Sequence, residues 1–223
     1  DWGGSYMTWS ELDAMFAAGW SIFNHTVGHV DDGTGGYSGI RCSGSVYTIE
    51  NQVAPAKAAI EARYPGYICT HYVYPYNDMV YKSCLMSSGL HLSAESVIGN
   101  NYVDTLPSEN ARFELKREQF YGTNINLFNS WATNAANDTN GTRWLIAFTH
   151  GVQPGTTTPG TYDTNQSTLQ AHIDFIYYNY GAGGNNTMWF APADEVMHYV
   201  FHRALSVISS VSTPTNTTPP PTA

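Results

Sequence analysis

Helix-type and strand-type segments alternate along this chain, and that alternation restricts its fold more than any other feature of the sequence. The helix-type segments carry apolar residues at helical spacing and end at glycine or proline: TWSELDAMFAAG, TIENQVAPAKAAIEARYPG, INLFNSWATNAAN, STLQAHIDFIYYNYGAGG and ADEVMHYVFHRALSVI. Short apolar or aromatic strands lie between them: WSIF, YICTHYVYPY, RWLIAFTH and TMWFAP. Apolar strands separated by helices indicate a parallel sheet or a β/α barrel.

Reactive side chains stand where three of these strands end. His25 and His29 follow WSIF, Tyr74 and Tyr76 close the second strand, and His150 closes RWLIAFTH. Because the carboxyl ends of parallel strands meet at one edge, we expect these residues to share one rim.

The two histidines of HTVGH are four residues apart, and this spacing suggests a metal site. On one helical turn, which Thr26 could cap, both imidazoles would reach a single Zn²⁺. The alternative is that two surface histidines have this spacing by chance. The position of His150 at the end of an apolar strand favours the metal site.

Composition excludes several classes of partner. The net charge of −9, with only 9 lysines and arginines, argues against nucleic acid and anionic membranes, because both require a basic surface. No apolar run is long enough for a transmembrane segment, and the first residues lack the features of a signal peptide. Sixteen tyrosines and six tryptophans suit a carbohydrate partner better.

An extracellular or cell-surface location is expected from two features. Potential N-glycosylation sequons, which predict a glycoprotein, occur at Asn137, Asn140, Asn165, Asn185 and Asn216. Residues 210–223 are rich in Thr and Pro, which predicts a linker or tail after a domain of residues 1–209. A frayed terminus is the alternative for this tail.

The cysteine count leaves the disulfide pairing open. Cys42, Cys69 and Cys84 allow one disulfide and leave one cysteine over. Either that cysteine is a free thiol or its partner lies elsewhere.

In these motifs the chain resembles the polysaccharide deacetylases of carbohydrate esterase family 4. HTVGH matches the family's second motif, H-[ST]-x-x-H, YVYPYN is similar to its third, and FTHG is similar to its fifth. The segment TMWFAPADEVMHYVFHR resembles the closing strand and helix of the family. The resemblance covers roughly residues 6–205, with the motifs in the family's order.

The resemblance implies a partial (β/α) barrel and hydrolysis of N- or O-linked acetyl groups from a polysaccharide with the help of a divalent metal, preferably zinc. His25 and His29 would be metal ligands and His150 the general acid. The backbone N–H of Tyr76 would stabilise the oxyanion, and Phe148 and Tyr74 would contact the substrate. The implied partner is an acetylated polysaccharide of the chitin, peptidoglycan or xylan type.

The chain departs from the family pattern in its first motif, T-F-D-D-G, which supplies a base and a third ligand from the first barrel strand. Only 24 residues precede His25, so we expect a barrel that lacks its first strand or strands, with the two aspartates on a segment upstream of Asp1. Val73 stands where one form of the third motif has arginine. The aspartate of the fourth motif has no clear equivalent.

Asp31, Asp32 and Gly33 have the same residues as the D-D-G of the absent first motif, but they follow the histidines in the sequence instead of preceding them. No strand precedes these residues, and the glycines of DDGTGGYSG predict an acidic turn. A ligand role for Asp31 or Asp32 is the less favoured alternative.

Two other functions stay open. Without a base and a third ligand, the domain would be a non-catalytic carbohydrate-binding or structural protein of the surface, derived from a deacetylase fold. A zinc protease is disfavoured, because HTVGH has threonine where H-E-x-x-H carries its general base.

Overall fold

Four parallel strands form the central sheet, in the order β1-β2-β4-β6: β1 His71–Val73, β2 Ser93–Ile98, β4 Leu115–Gln119 and β6 Ala147–Phe148. The structure is a computed structural model that describes residues 7–99, 101–102 and 106–206. The sheet is curled into a half-barrel within a mixed α/β arrangement. The α/β class and the parallel sheet predicted from the sequence are therefore confirmed.

The remaining elements surround this sheet. The helices are α1 Trp9–Ala17, α2 Ala54–Arg63, α3 Lys82–Ser87, α4 Glu109–Arg112, α5 Ile125–Ala136, α6 Gln166–Asn179 and α7 Ala193–Leu205. A π-helical turn, Ile49–Val53, leads into α2. Two small sheets pair β3 Asn101–Tyr102 with β5 Arg143–Trp144, and β7 Val152–Gln153 with β8 Thr164–Asn165.

The five predicted helices form where local signals place them. Thr8 caps α1 in a reciprocal arrangement, since its side chain accepts from the Glu11 N–H while Glu11 accepts from the Thr8 N–H. After α2, Gly66 adopts a φ of 90°, which a side chain would disfavour. These signals depend only on neighbouring residues, so the sequence reveals them.

Three strand predictions need correction. WSIF forms no strand, because the hydroxyl of Tyr67 bonds both the N–H and the carbonyl of Ile22, and the bridge to Tyr72 is made by the next residue, Asn24. TMWFAP (187–192) forms no strand, and RWLIAFTH is divided between β5 and β6. The sequence also missed β2 and β4, the two central strands.

The main core lies between the sheet and α3. Tyr72, Tyr81 and Leu85 are fully buried there, and the hydroxyls of the two tyrosines are 2.9 Å apart. A disulfide joins Cys42 to Cys84 and ties the loop before α2 to α3. Cys69 is the remaining cysteine, a buried free thiol.

Several features of the fold bear on the cellular location of the protein. A disulfide is typical of proteins in oxidising compartments, which is compatible with the expected extracellular site. No helix in the described part of the chain combines the length and the apolar character needed to cross a bilayer. The predicted tail, 210–223, and Asn216 lie outside the described residues. Asn165 is buried as the N-cap of α6, so its amide is a poor glycosylation acceptor.

Replacing Leu85 with alanine should destabilise the fold. Leu85 is fully buried, so the truncation leaves a cavity and should lower the free energy of unfolding by about 2–5 kcal/mol in denaturant titrations. Leu205→Ala is the matched control, because Leu205 is 72% exposed and its truncation should change stability by less than about 0.5 kcal/mol. Equal losses in both variants would contradict this core assignment.

Candidate active site

The segment that carries His25 and His29 is an irregular loop, which corrects the predicted helical turn. Thr26 and His29 have φ values of 72° and 45°, in the left-handed region that β-branched residues such as threonine rarely adopt. As predicted, Thr26 caps the turn, since its hydroxyl accepts from the His29 N–H at 3.0 Å. The loop brings the two imidazole centres to 4.8 Å.

This spacing fits a shared metal. Two imidazoles on one tetrahedral zinc have ring centres roughly 5 Å apart, given the zinc–nitrogen bond length. The Nδ1 of His25 lies 2.8 Å from the carbonyl oxygen of Val73. A carbonyl can only accept, so Nδ1 carries the proton and Nε2 keeps its lone pair. Metal-binding histidines usually have this type of hydrogen bond.

The surroundings of His25 keep its ring neutral. Although one side of the ring is open to solvent, burial by neighbouring protein atoms lowers the pKa of His25 to about 4. The hydrogen bond to Val73 opposes this change, while the positive charges of His29, Arg117 and His150 add to it. His25 therefore shares an electrostatic environment with His150, which follows β6.

Tyr76 lies directly beside the histidine pair. Its ring centre is 4.5 Å from that of His29, and its hydroxyl donates to the His29 carbonyl at 3.2 Å. Tyr76 has a φ of 57° within the 3-10 turn Pro75–Asn77. The turn thus places Tyr76 at the rim, as the sequence predicts.

Tyr74 lies in the core rather than at the rim. Its side chain is fully buried, with its ring centre 5.2 Å from Tyr72 and 5.5 Å from Tyr81. A fully buried side chain cannot contact a bound substrate, so the substrate-binding prediction for Tyr74 is corrected.

His150 follows β6 and is held by polar neighbours. Its Nδ1 lies 3.3 Å from Gln119 Nε2, which can only donate, so a neutral His150 carries its proton on Nε2. Its backbone N–H donates to the Tyr162 carbonyl at 3.3 Å. At the next residue, Gly151, a Cβ would lie 2.8 Å from Asp163 Oδ1, so a side chain there would displace the Asp163 carboxylate.

Phe148 lies between His150 and an arginine. Its ring centre is 5.7 Å from that of His150, and the guanidinium of Arg117 stacks 3.9 Å above its ring. One face of Phe148 is therefore covered, and only its other face or its edge could contact a substrate.

The sequence missed Arg117 and Glu95, a buried ion pair on β4 and β2. Arg117 Nη1 is 3.2 Å from Glu95 Oε1, and Arg117 Nη2 donates to the Asn77 side chain at 2.7 Å. Burial alone would raise the pKa of Glu95, but His71 and Arg117 hold it below its usual range. The only sequence signal was the alternation of Phe113, Leu115 and Arg117 toward the interior.

Asp31 and Asp32 form the turn that the glycine-rich sequence predicts. Asp31 Oδ1 accepts from the Gly33 N–H at 2.7 Å, and Asp32 Oδ1 accepts from the Thr34 N–H at 3.0 Å. Asp32 also faces Arg41 at 3.4 Å. Both carboxylates are therefore engaged in local hydrogen bonds.

The fit to a metal is partial. A catalytic zinc takes three protein ligands, and His25 and His29 supply two. Among the described residues, no group of three or more His, Cys, Asp or Glu side chains is arranged to hold a metal ion. A third metal ligand would have to be a side chain other than those described beside His25 and His29.

Comparisons with known proteins find no match. No family model, curated protein or solved structure is significantly similar to the chain. The deacetylase resemblance therefore rests on the quoted motifs.

The predicted polysaccharide partner needs correction. A polymer requires a groove that passes the reactive groups, but two concavities of the described chain lie elsewhere. One is lined by residues 189, 194, 195, 198 and 199, and the other by residues 13, 16, 62, 63 and 64. Neither includes His25, His29 or His150, so neither supports the predicted polymer at the rim.

The low pKa of His25 can be measured by NMR titration of metal-free protein. We expect a pKa of about 4, below the ordinary 6.5. Because the unfolded chain then binds the proton first as the pH falls, His25 should cost stability progressively from about pH 6.5 down to 4, and nothing above that window. His25→Gln should reduce this acid sensitivity. A measured pKa near 6.5 would contradict the assignment.

Proposed function

We propose that this protein is a metal-dependent deacetylase that hydrolyses N- or O-linked acetyl groups of a carbohydrate, with a partial (β/α) barrel of the polysaccharide deacetylase type. The observation that carries the proposal is the pairing of His25 and His29, with His25 Nε2 left free by the bond to Val73. The motif order and the disulfide support an extracellular enzyme of this kind. The proposed substrate is an acetylated sugar unit, because neither of the two concavities includes a histidine of the rim.

The residues would divide the reaction among them. His25 and His29 would hold the metal, preferably zinc, and a bound zinc polarises the acetyl carbonyl and acidifies a water molecule. The backbone N–H of Tyr76 would bind the carbonyl oxygen as negative charge develops there. A general base and a third ligand, both of them carboxylates in this proposal, are not grouped with the histidines among the described residues.

His150 would act as the general acid. It follows β6, whereas the metal ligands lie on the loop before β1. The imidazolium form of His150 would give its Nε2 proton to the departing amine or alcohol and become the neutral ring whose Nδ1 faces Gln119. Phe148 would contact the acetyl methyl with the part of its ring that Arg117 leaves uncovered.

Arg117 would position groups at the rim rather than react. Its guanidinium is fixed by Glu95 and Asn77, and its charge reaches His25. This charge favours the neutral imidazole, which is the form that binds metal. It also attracts a carboxylate, which the missing base would be.

A non-catalytic binding protein is the second candidate. It is favoured by one observation, that the described residues bring only two metal ligands together. Metal binding and turnover distinguish the two candidates.

The purified chain should bind one equivalent of zinc through His25 and His29. Metal analysis and calorimetry should show that the double variant His25→Ala, His29→Ala loses this zinc, because no nearby ligand replaces either imidazole. His202→Ala is the control, since His202 is an exposed histidine on α7. An unchanged stoichiometry in the double variant would refute the metal site.

Removing the acid should separate chemistry from metal binding. In catalytically active protein, His150→Ala should lower kcat on acetylated amino sugars by about 10²–10⁴ while the zinc content stays at the wild-type level. Activated acetyl esters have leaving groups that need no protonation, so they should lose much less rate. An equal loss on both substrates would exclude the acid role.

A further inference from the structure

A second concave surface lies outside the residues of the proposed reaction. The cavity has a volume of about 330 Å³ and is lined by Trp189, Asp194, Glu195, His198 and Tyr199. The residues come from the extended segment before α7 and from the first turns of α7 itself. The deacetylase proposal gives none of them a role.

Two aromatic rings form the walls. The ring centres of Trp189 and Tyr199 are 5.4 Å apart, with an angle of 70° between the ring planes. Both side chains remain exposed, at 56% and 53%. The edge of one ring therefore packs against the other, and the ring faces that remain exposed can attract a compact cation.

Two carboxylates add negative charge to this recess. Asp194 is buried and accepts a hydrogen bond from the Tyr67 hydroxyl at 3.3 Å, while Glu195 is exposed. Burial and the negative charge of Asp194 raise the pKa of Tyr67, so the charge is felt beyond the cavity. The ion pairs found within the described ranges include neither carboxylate.

These features select a class of ligand. Asp194 and Glu195 repel anions, and a wholly apolar ligand would desolvate them without compensation. A bare metal ion is disfavoured, because the described side chains offer no cluster of three ligands. An organic cation matches both features of the cavity, because its body can pack on Trp189 and Tyr199 while its charge faces Glu195.

We propose that this cavity binds an amino sugar, with the ammonium group held between the aromatic rings and Glu195. Recognition of a cation stands on the cavity alone. The choice of an amino sugar rests on the proposed function, because hydrolysis of an N-acetyl sugar releases acetate and leaves this amine. The cavity then holds the product at a site separate from the histidine rim.

The test is binding of small sugars to the full chain, measured by calorimetry and by the NMR signal of the Trp189 indole. Glucosamine in its protonated form should bind at least about tenfold more tightly than N-acetylglucosamine or glucose, since only glucosamine carries the charge. Glu195→Gln and Trp189→Ala should each weaken glucosamine binding by about 3- to 30-fold.

Matched controls keep the test specific. Asp174→Asn removes one exposed carboxylate of α6, and Trp20→Ala removes an exposed tryptophan, and neither residue lines the cavity. Both variants should bind glucosamine as the wild type does. Thermal unfolding of all four variants checks that they fold.

Several results would overturn the proposal. Equal binding of glucosamine and N-acetylglucosamine, or unchanged glucosamine binding in Glu195→Gln, would exclude ammonium recognition. Binding of choline without glucosamine would exclude the amino sugar as the ligand. If the deacetylase proposal is wrong, the protein will show no zinc binding and no turnover, while glucosamine still binds. If the amino-sugar proposal is wrong, turnover will be seen without glucosamine binding at the cavity.

Discussion

The rim depends on one buried side chain, Asn24, which fixes the point where the histidine loop begins. Its amide nitrogen donates to the Val53 carbonyl at 2.8 Å and reaches His91 Nε2 at 3.2 Å, while its amide oxygen accepts from the Thr26 N–H at 3.0 Å. Its backbone also pairs with both sides of Tyr72 in β1. Because a buried amide without partners is costly, these bonds hold His25 in place relative to the sheet.

The same rim places the neutral ring of His25 near the buried ion pair of Arg117 and Glu95. Burial keeps His25 neutral, and the bond to Val73 directs its lone pair away from the backbone. Behind it, Arg117 and Glu95 form an ion pair whose cost of burial is offset by mutual attraction and by further hydrogen bonds. A neutral imidazole is the form that binds a metal ion, whereas the positive charge of Arg117 would repel a metal ion and attract a carboxylate.

The chain presents two chemically distinct surfaces. The rim offers imidazoles and a guanidinium, whereas the cavity at α7 offers carboxylates and two aromatic rings. In the two proposals, the rim would take the neutral N-acetyl sugar and the cavity would take its cationic, deacetylated product. The net charge of −9 is consistent with attraction of the cationic form.

By itself, the sequence determined what depends on neighbouring residues: the five longer helices, the α/β class, and the place of His150 after a strand. It also predicted the turn at Asp31. Only the tertiary structure decided which strands pair, because pairing joins distant residues; the polar strand LKREQ gave no apolar run to detect. The burial of Tyr74, the Arg117–Glu95 pair, the disulfide between Cys42 and Cys84 and the aromatic cavity all arise from such distant contacts, which local patterns do not encode.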